Sequence, residues 1–310
     1  MSNVWKAETS RLRIFKEFVL GTEAVRDELP AKAKPLKHVS CAGVMSGPDV
    51  PFQHIDVALL TQLKIYLKAQ RGVSNRTIAS YLMTIQTIFS QAIKEGLLDK
   101  KHYPFGKDKI KIPKSLKIGL TKEEVENLEA AVLPKPAHAE VRDLWLISFY
   151  FAGIRAADVL QLRWEDFRDG RLYYVMNKND KPVSLKVPGK AHAILEHYRV
   201  SNQQPGNFVF SYMNGFEDVE DPFTLKKRIA AVVKQCDRLL KLNVAPAAGI
   251  TRPLSLHIAR HTFATLAGDK VPIQMLQKLY RHSDIKTTIG YQSAFIHKDA
   301  DDALDAVLRS

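Results

Sequence analysis

Apolar residues recur along this chain mostly at three- and four-residue intervals, a period that predicts helices rather than strands. In 55–69, IDVALLTQLKIYLKA, they form the stripe of an amphipathic helix. In 72–98, Ile78, Tyr81, Leu82, Ile85, Ile88, Phe89 and Ile93 share one face, and Ser74 is placed to cap the start. A first helix is expected at about 3–20, and the Pro-, Gly- and Lys-rich stretch 21–54 reads as an irregular connection.

The stripe then stops. FGKDKIKIPKSLKIG (105–119) carries two breakers and a run of lysines, which predicts an extended basic linker centred on 111–117. Directly beyond it, Thr121 and Glu124 stand at capping-box spacing, an explicit helix start. The boundary predicts an all-helical domain over 1–110 and a second domain over 118–310. In the second, LWLISFYFAGI (144–154) reads as a buried helix. RLYYVMNKNDKPVSLKVP (171–188) sets two β-prone runs around NKND, a hairpin. Helices are expected again at 190–199, 222–242, 256–267 and 272–280. A last amphipathic segment, 298–308, spaces Ala300, Leu304, Val307 and Leu308 along one side. The fold class is therefore mainly α: a helical domain, then a mixed, mostly α domain with a small antiparallel hairpin or sheet.

Charge narrows the class of partner. The 310 residues include 46 Lys and Arg against 33 Asp and Glu, a net charge of +13, which favours a polyanion: nucleic acid or an anionic membrane surface. No apolar run approaches the roughly 18–20 residues of a membrane span. The charged N-terminus lacks the apolar stretch of a signal peptide. Cys41 and Cys236 are far apart, with neither a disulfide framework nor zinc-ligand spacing, and suit a reducing cytoplasm.

The chemistry-bearing residues fit an attack on a phosphodiester. Such an attack needs a nucleophile, cations on the non-bridging oxygens and an acid for the leaving oxygen. Arginine suits the oxygens because its planar fork donates two parallel hydrogen bonds and keeps its charge. A tyrosine nucleophile would conserve the bond energy in an ester. AGIRAADVLQLRW (152–164) supplies Arg155, with Asp158 three residues on. HIAR supplies His257 and Arg260 on one helical face. KLYRHSDIKTTIGYQ (278–292) supplies His282 and, nine residues later, Tyr291; the hairpin turn offers Lys178 and Lys181.

Taken together, these residues resemble the catalytic domain of the tyrosine recombinases, the phage integrase and Xer-type family. The resemblance runs from about Thr121 onward and, more loosely, through the first domain as a helical core-binding domain. Arg155 matches the family's first arginine, His257 and Arg260 its H-x-x-R pair, His282 the later histidine and Tyr291 the nucleophile. Lys178 is the better match to the hairpin lysine, with Lys181 the alternative. Two departures stand out. The later histidine commonly follows Leu-Gly but here follows Tyr280 and Arg281, and Ile258 and Ala259 replace an aspartate-leucine pair.

The resemblance implies a site-specific recombinase that joins Tyr291 to a DNA 3′-phosphate, with no cofactor and no metal. Double-stranded DNA is the implied partner, bound by a homotetramer on two sites, monomeric in free solution, and the expected setting is an integrase of a mobile element or phage. With no further domain ahead of the first helix, simple sites are expected. Candidate DNA contacts are Arg71, Asn75, Arg76 and Thr77 at a helix start, where free amides favour phosphate, and the linker lysines Lys109, Lys111, Lys114 and Lys117. The segment 298–308 is expected to pack on a neighbouring protomer. The rival readings are a type IB topoisomerase-like enzyme and a DNA-binding relative without chemistry. Taken singly, Arg155 and Asp158 make an ordinary ion pair, His261 a packing or supporting residue, and Tyr280 a packed tyrosine.

Overall fold

The computed structural model describes residues 3–27, 50–106, 110–113, 119–176, 182–199, 204, 206–219 and 221–292. The chain divides into two compact units, Met1–Ser115 and Leu116–Ser310.

The first unit contains α1 (Asn3–Asp27), α2 (Val57–Ala69) and α3 (Asn75–Lys94). Helix α1 runs on to Asp27, into the stretch expected to be irregular. Asp56 caps α2, its Oδ1 accepting from the Leu59 amide at 2.7 Å, and Ser74 caps α3, its Oγ accepting from Thr77 at 3.2 Å. Helix α3 stops at Lys94, short of the expected 98, because Gly96 turns left-handed (φ 73°) and lets the Leu97 amide return to the Ala92 carbonyl at 2.9 Å. Its expected stripe is the buried face: Ile78, Tyr81, Leu82, Ile85 and Phe89 pack with Phe15, Phe18, Leu63 and Leu67.

In the second unit both bonds of the capping box form: Glu124 N–H donates to Thr121 Oγ1 at 3.1 Å and Thr121 N–H to Glu124 Oε2 at 2.7 Å, opening α4 (Lys122–Ala130). Helix α5 (Pro136–Tyr150) buries Val141, Leu144, Trp145, Leu146 and Ile147, which lie all round it, so it is the unit's central post. A single turn, α6 (Ala156–Val159), leads into an antiparallel sheet of β1 (Phe167–Arg168), β2 (Arg171–Val175) and β3 (Pro182–Lys186), in that order. The expected β2–β3 hairpin forms, and β2 alternates with Leu172 and Tyr174 inward. Strand β1 is an addition, too short for any period to reveal. Helix α7 (Gly189–Arg199) and helix α8 (Pro222–Leu239) follow, α8 continuing through a π-turn (Leu240–Val244). Helix α9 (Leu256–Ala267) lies along α5; α10 (Ile273–Tyr280) and α11 (Ile285–Gln292) pack on each other. Among the described residues no helix is long and apolar enough to cross a membrane. The segment 298–308, and 28–49 with Cys41, lie outside the described residues.

Candidate active site

Helix α5 ends in two left-handed residues, Ala152 (φ 58°) and Gly153 (φ 69°). The turn is closed by Ser148, whose Oγ donates to the Ile154 carbonyl at 2.6 Å while its own carbonyl accepts from the Ile154 amide at 3.2 Å. Arg155 then takes the N-cap position of α6, its side chain making no cap bond. A Cβ on Gly153 would stand 2.6 Å from the Arg260 Cα, so the backbone of α9 rests directly on this turn and only glycine permits the approach. Arg155 Nη1 lies 4.0 Å from the buried Asp158 carboxylate. The helix-start ion pair thus exists, but at a distance too long for a hydrogen bond.

The first turn of α9 is fixed from two sides. The Ser255 side chain makes no cap bond; instead Asp237 Oδ1 accepts from the Leu256 amide at 2.8 Å, and Trp145 Nε1 donates to the Ser255 carbonyl at 3.1 Å. His257 is exposed, whereas Arg260 is 3% exposed. Arg260 donates from Nη1 to the Gly153 carbonyl at 2.9 Å and from Nη2 to the Tyr280 carbonyl at 3.2 Å. Its guanidinium carbon sits 3.6 Å over the Tyr280 ring, and Nη2 stands 3.4 Å from His282 Nε2. Two carbonyls and an aromatic face therefore lock the plane of a buried cation.

His282 is oriented from its other nitrogen, where Nδ1 pairs with Thr288 Oγ1 at 3.0 Å, and Thr288 is fully buried. His261 is buried and meets the His257 ring edge-on at 4.9 Å, a packing and supporting place. Ala259 is fully buried and Ile258 partly so. Tyr280 is fully buried and its hydroxyl donates to the Arg260 carbonyl at 2.5 Å, so it holds α9 to α10.

The hairpin closes the group. Tyr174 points inward from β2, and its hydroxyl is buried with no hydrogen-bond partner among the described residues, as is Arg155 Nη1. Burial raises the Tyr174 pKa and Asp158 raises it further, while Arg260, Arg155 and Arg281 oppose them. Three arginines thus act electrostatically on one hydroxyl, and Arg155 Nη1, buried with no acceptor among the described residues, is a donor suited to an oxygen of an anion. Arg281, at the position where the family commonly has glycine, is itself left-handed (φ 52°, ψ 36°) and donates from Nη2 to the Pro182 carbonyl at 3.3 Å.

Of the residues singled out from sequence, the structure sets Arg260 beside His282 and rests its backbone on the turn that leads into Arg155, with His257 on the exposed side of the same turn of α9. Tyr291 belongs to α11, but its side chain lies outside the described ones, and Lys178 and Lys181 lie outside the described residues. Thr288 and Tyr174 were not anticipated. Inward alternation along β2 was a signal for Tyr174; for Thr288 there was none beyond its place between His282 and Tyr291. Among the described residues no three His, Cys, Asp or Glu side chains group as metal ligands.

In the first unit Arg71, Asn75, Arg76 and Thr77 are exposed around the start of α3, and Arg76 Nη1 donates to the Pro113 carbonyl at 3.0 Å. Lys64 and Lys68, one turn apart on α2, line a groove of about 450 Å³ with Asn75, and neither was singled out from sequence. Lys111 is exposed; Lys109, Lys114 and Lys117 lie outside the described residues.

Residues 3–112 match the phage integrase SAM-like domain and residues 119–297 match the phage integrase family. Tyrosine recombinase XerA of Pyrococcus furiosus is 29% identical over 187 residues, covering 58% of this chain and 59% of that protein. Tyrosine recombinase XerA of Pyrococcus horikoshii is 26% identical over 234 residues, 74% of this chain and 73% of that one. The solved structure of a lambda integrase dimer bound to a COC′ core site shares the fold, with a TM-score of 0.57 at 16% identity over 94% of this chain and 81% of that one.

Proposed function

The chain belongs to the phage integrase family of tyrosine-type DNA recombinases, and from that premise we propose that Tyr291 is its nucleophile at the scissile phosphate. The Tyr291 oxygen bonds to phosphorus as the bond to the 5′-oxygen breaks, leaving a 3′-phosphotyrosyl link and a free 5′-hydroxyl. His257 assists removal of the phenolic proton, and Lys178 protonates the leaving oxygen. Arg155, Arg260 and His282 hold the non-bridging oxygens as their charge grows. A 5′-hydroxyl from the partner strand reverses the step, so rejoining needs no ATP, cofactor or divalent metal.

The observation that carries this reading is Arg260 beside His282, clamped between two carbonyls and an aromatic ring, on a helix whose backbone rests on the turn that leads into Arg155. Arg71, Asn75, Arg76 and Thr77 of the first unit, with Lys114 and Lys117, grip the duplex through its phosphates. The working assembly is a homotetramer on two DNA sites, acting in the cytoplasm as the integrase of a mobile element or phage.

A nicked substrate that traps the covalent intermediate tests the chemistry. After trypsin, the DNA should be carried by the peptide 287–298, which holds Tyr291, and not by 279–281, which holds Tyr280. An adduct on the second peptide, or no adduct, defeats the reading. The orienting bond to His282 gives a smaller effect. Thr288→Ala removes one hydrogen bond of about 1–1.5 kcal/mol, so single-turnover cleavage should slow by about 10-fold with DNA affinity unchanged. A rate equal to wild type would show that the His282 ring needs no such support.

A further inference from the structure

Helix α2 presents two unlike ridges on its exposed side. Its inner side lies in the core, where Leu60, Leu63 and Leu67 are buried. On the exposed side Lys64 and Lys68 stand four residues apart, and beside them run Ile65 and Ala69, also four apart. Ile65 is 61% exposed. A lone exposed isoleucine would mean little. Here Ile65 and Ala69, with Ile78 from the start of α3, supply the apolar lining of the groove of about 450 Å³, and Lys64, Lys68 and Asn75 supply its polar lining.

The charge around the groove is of one sign. From Val57 to Lys94 the chain contains no Asp or Glu, against Lys64, Lys68, Arg71, Arg76 and Lys94. Like charges one turn apart on a helix repel, and neither α2 nor α3 contains an acid to relieve Lys64 and Lys68. Such a surface fits an anion, and the apolar lining fits something that a bare phosphate does not have. Duplex DNA offers both. Its phosphates border the major groove, and the base edges there carry one apolar group, the C5-methyl of thymine. For an enzyme that breaks and rejoins DNA, the polyanion at hand is the duplex.

We propose that this groove reads a thymine in the major groove of the recombination site: Ile65 and Ala69 receive its methyl group while Lys64 and Lys68 hold the flanking phosphates. The proposal rests on the reading of the first unit as a grip on duplex DNA and adds to it a base-specific contact. It makes Ile65 a specificity-determining residue, whereas the contacts assigned to Arg71, Arg76 and Thr77 are to phosphate.

Deletion of the methyl alone tests this with the full chain. Duplexes with a random central segment are enriched for tight binding, which yields a defined DNA. That DNA is remade with deoxyuridine in place of thymidine, one position at a time; uracil pairs with adenine as thymine does and lacks only the methyl. At one thymine the change should weaken wild-type binding by about 3- to 5-fold, the effect of one buried methyl. Ile65→Ala should bind the thymine and uracil DNAs alike at that position. Val57→Ala should keep the wild-type discrimination, because Val57, 64% exposed on the same helix, does not line the groove. Lys64→Gln and Lys68→Gln should weaken both DNAs together, each lowering the salt dependence of binding by about one counterion.

An enrichment that yields no preferred sequence, or a preferred DNA in which no thymine is sensitive to its methyl, overturns the proposal. So does an Ile65→Ala variant that still distinguishes uracil from thymine, or a Val57→Ala variant that no longer does. Each of these leaves the grip on duplex DNA standing as long as the lysine variants bind more weakly than wild type. If Lys64→Gln, Lys68→Gln, Arg71→Gln and Arg76→Gln all keep the wild-type affinity and salt dependence, the first unit does not hold DNA and both readings fall.

Discussion

Tyr291→Phe is expected to bind its DNA as tightly as wild type and to form no covalent adduct. The substitution deletes one oxygen from a ring of the same shape and leaves every cation in place. If Tyr291 is the nucleophile, neither tyrosine described at the site replaces it, since burial raises the pKa of the Tyr174 hydroxyl and makes it harder to ionise. Tyr280 is fully buried with its hydroxyl committed to the Arg260 carbonyl, and no other tyrosine falls between His282 and residue 310. Removing the nucleophile from a set of residues that act together costs about 10⁶-fold, below the detection of a trapped-intermediate gel. Affinity comes instead from phosphate contacts spread over a chain of net charge +13, so the dependence of binding on salt should be unchanged. A residual adduct in Tyr291→Phe would move the nucleophile elsewhere. Loss of binding along with the adduct would make Tyr291 a structural residue.

The parts of this protein legible in sequence are those set by residues near one another. Thr121 and Glu124 announce α4 because a capping box is complete within four residues, and both of its bonds form. The stripe from Ile78 to Phe89 announces α3 because one turn repeats the next. His257 and Arg260 are likewise neighbours on a helix face. What sequence does not reveal depends on contacts across long separations. Strand β1 is two residues and exists only through its pairing with β2. The cap of α9 is not Ser255, which the local rule would choose, but Asp237 from a different helix. Thr288 gains its place from the ring nitrogen of His282, and Tyr174 lies in the electrostatic field of three arginines from three separate elements. Arg281 is the instructive case. In sequence it is a departure from a family pattern; in space it is a left-handed residue reaching the hairpin.

Gly153→Ala is expected to cost more than any other single-methyl change at the site, in stability and in rate together. Alanine at φ 69° carries about 1–2 kcal/mol of left-handed strain. Its Cβ would also stand 2.6 Å from the Arg260 Cα, a contact that no side-chain rotation relieves, so α9 or the turn must move. Overpacking of that kind costs about 1–3 kcal/mol more. The movement falls on the worst place, because the Gly153 carbonyl holds Arg260 Nη1 and the next residue but one is Arg155. Displacing the two arginines relative to each other by about 1 Å should slow cleavage by about 10²-fold. Gly96→Ala is the matched control: its φ of 73° imposes the same strain, but no atom lies within 4 Å of the added methyl. Urea unfolding and single-turnover cleavage of both variants should show the Gly96 change costing about 1–2 kcal/mol with the rate kept. The Gly153 change should lose more stability and most of the rate. Equal losses for the two would mean that the turn after α5 tolerates a methyl against α9, and that Arg155 and Arg260 owe their alignment to something other than this contact.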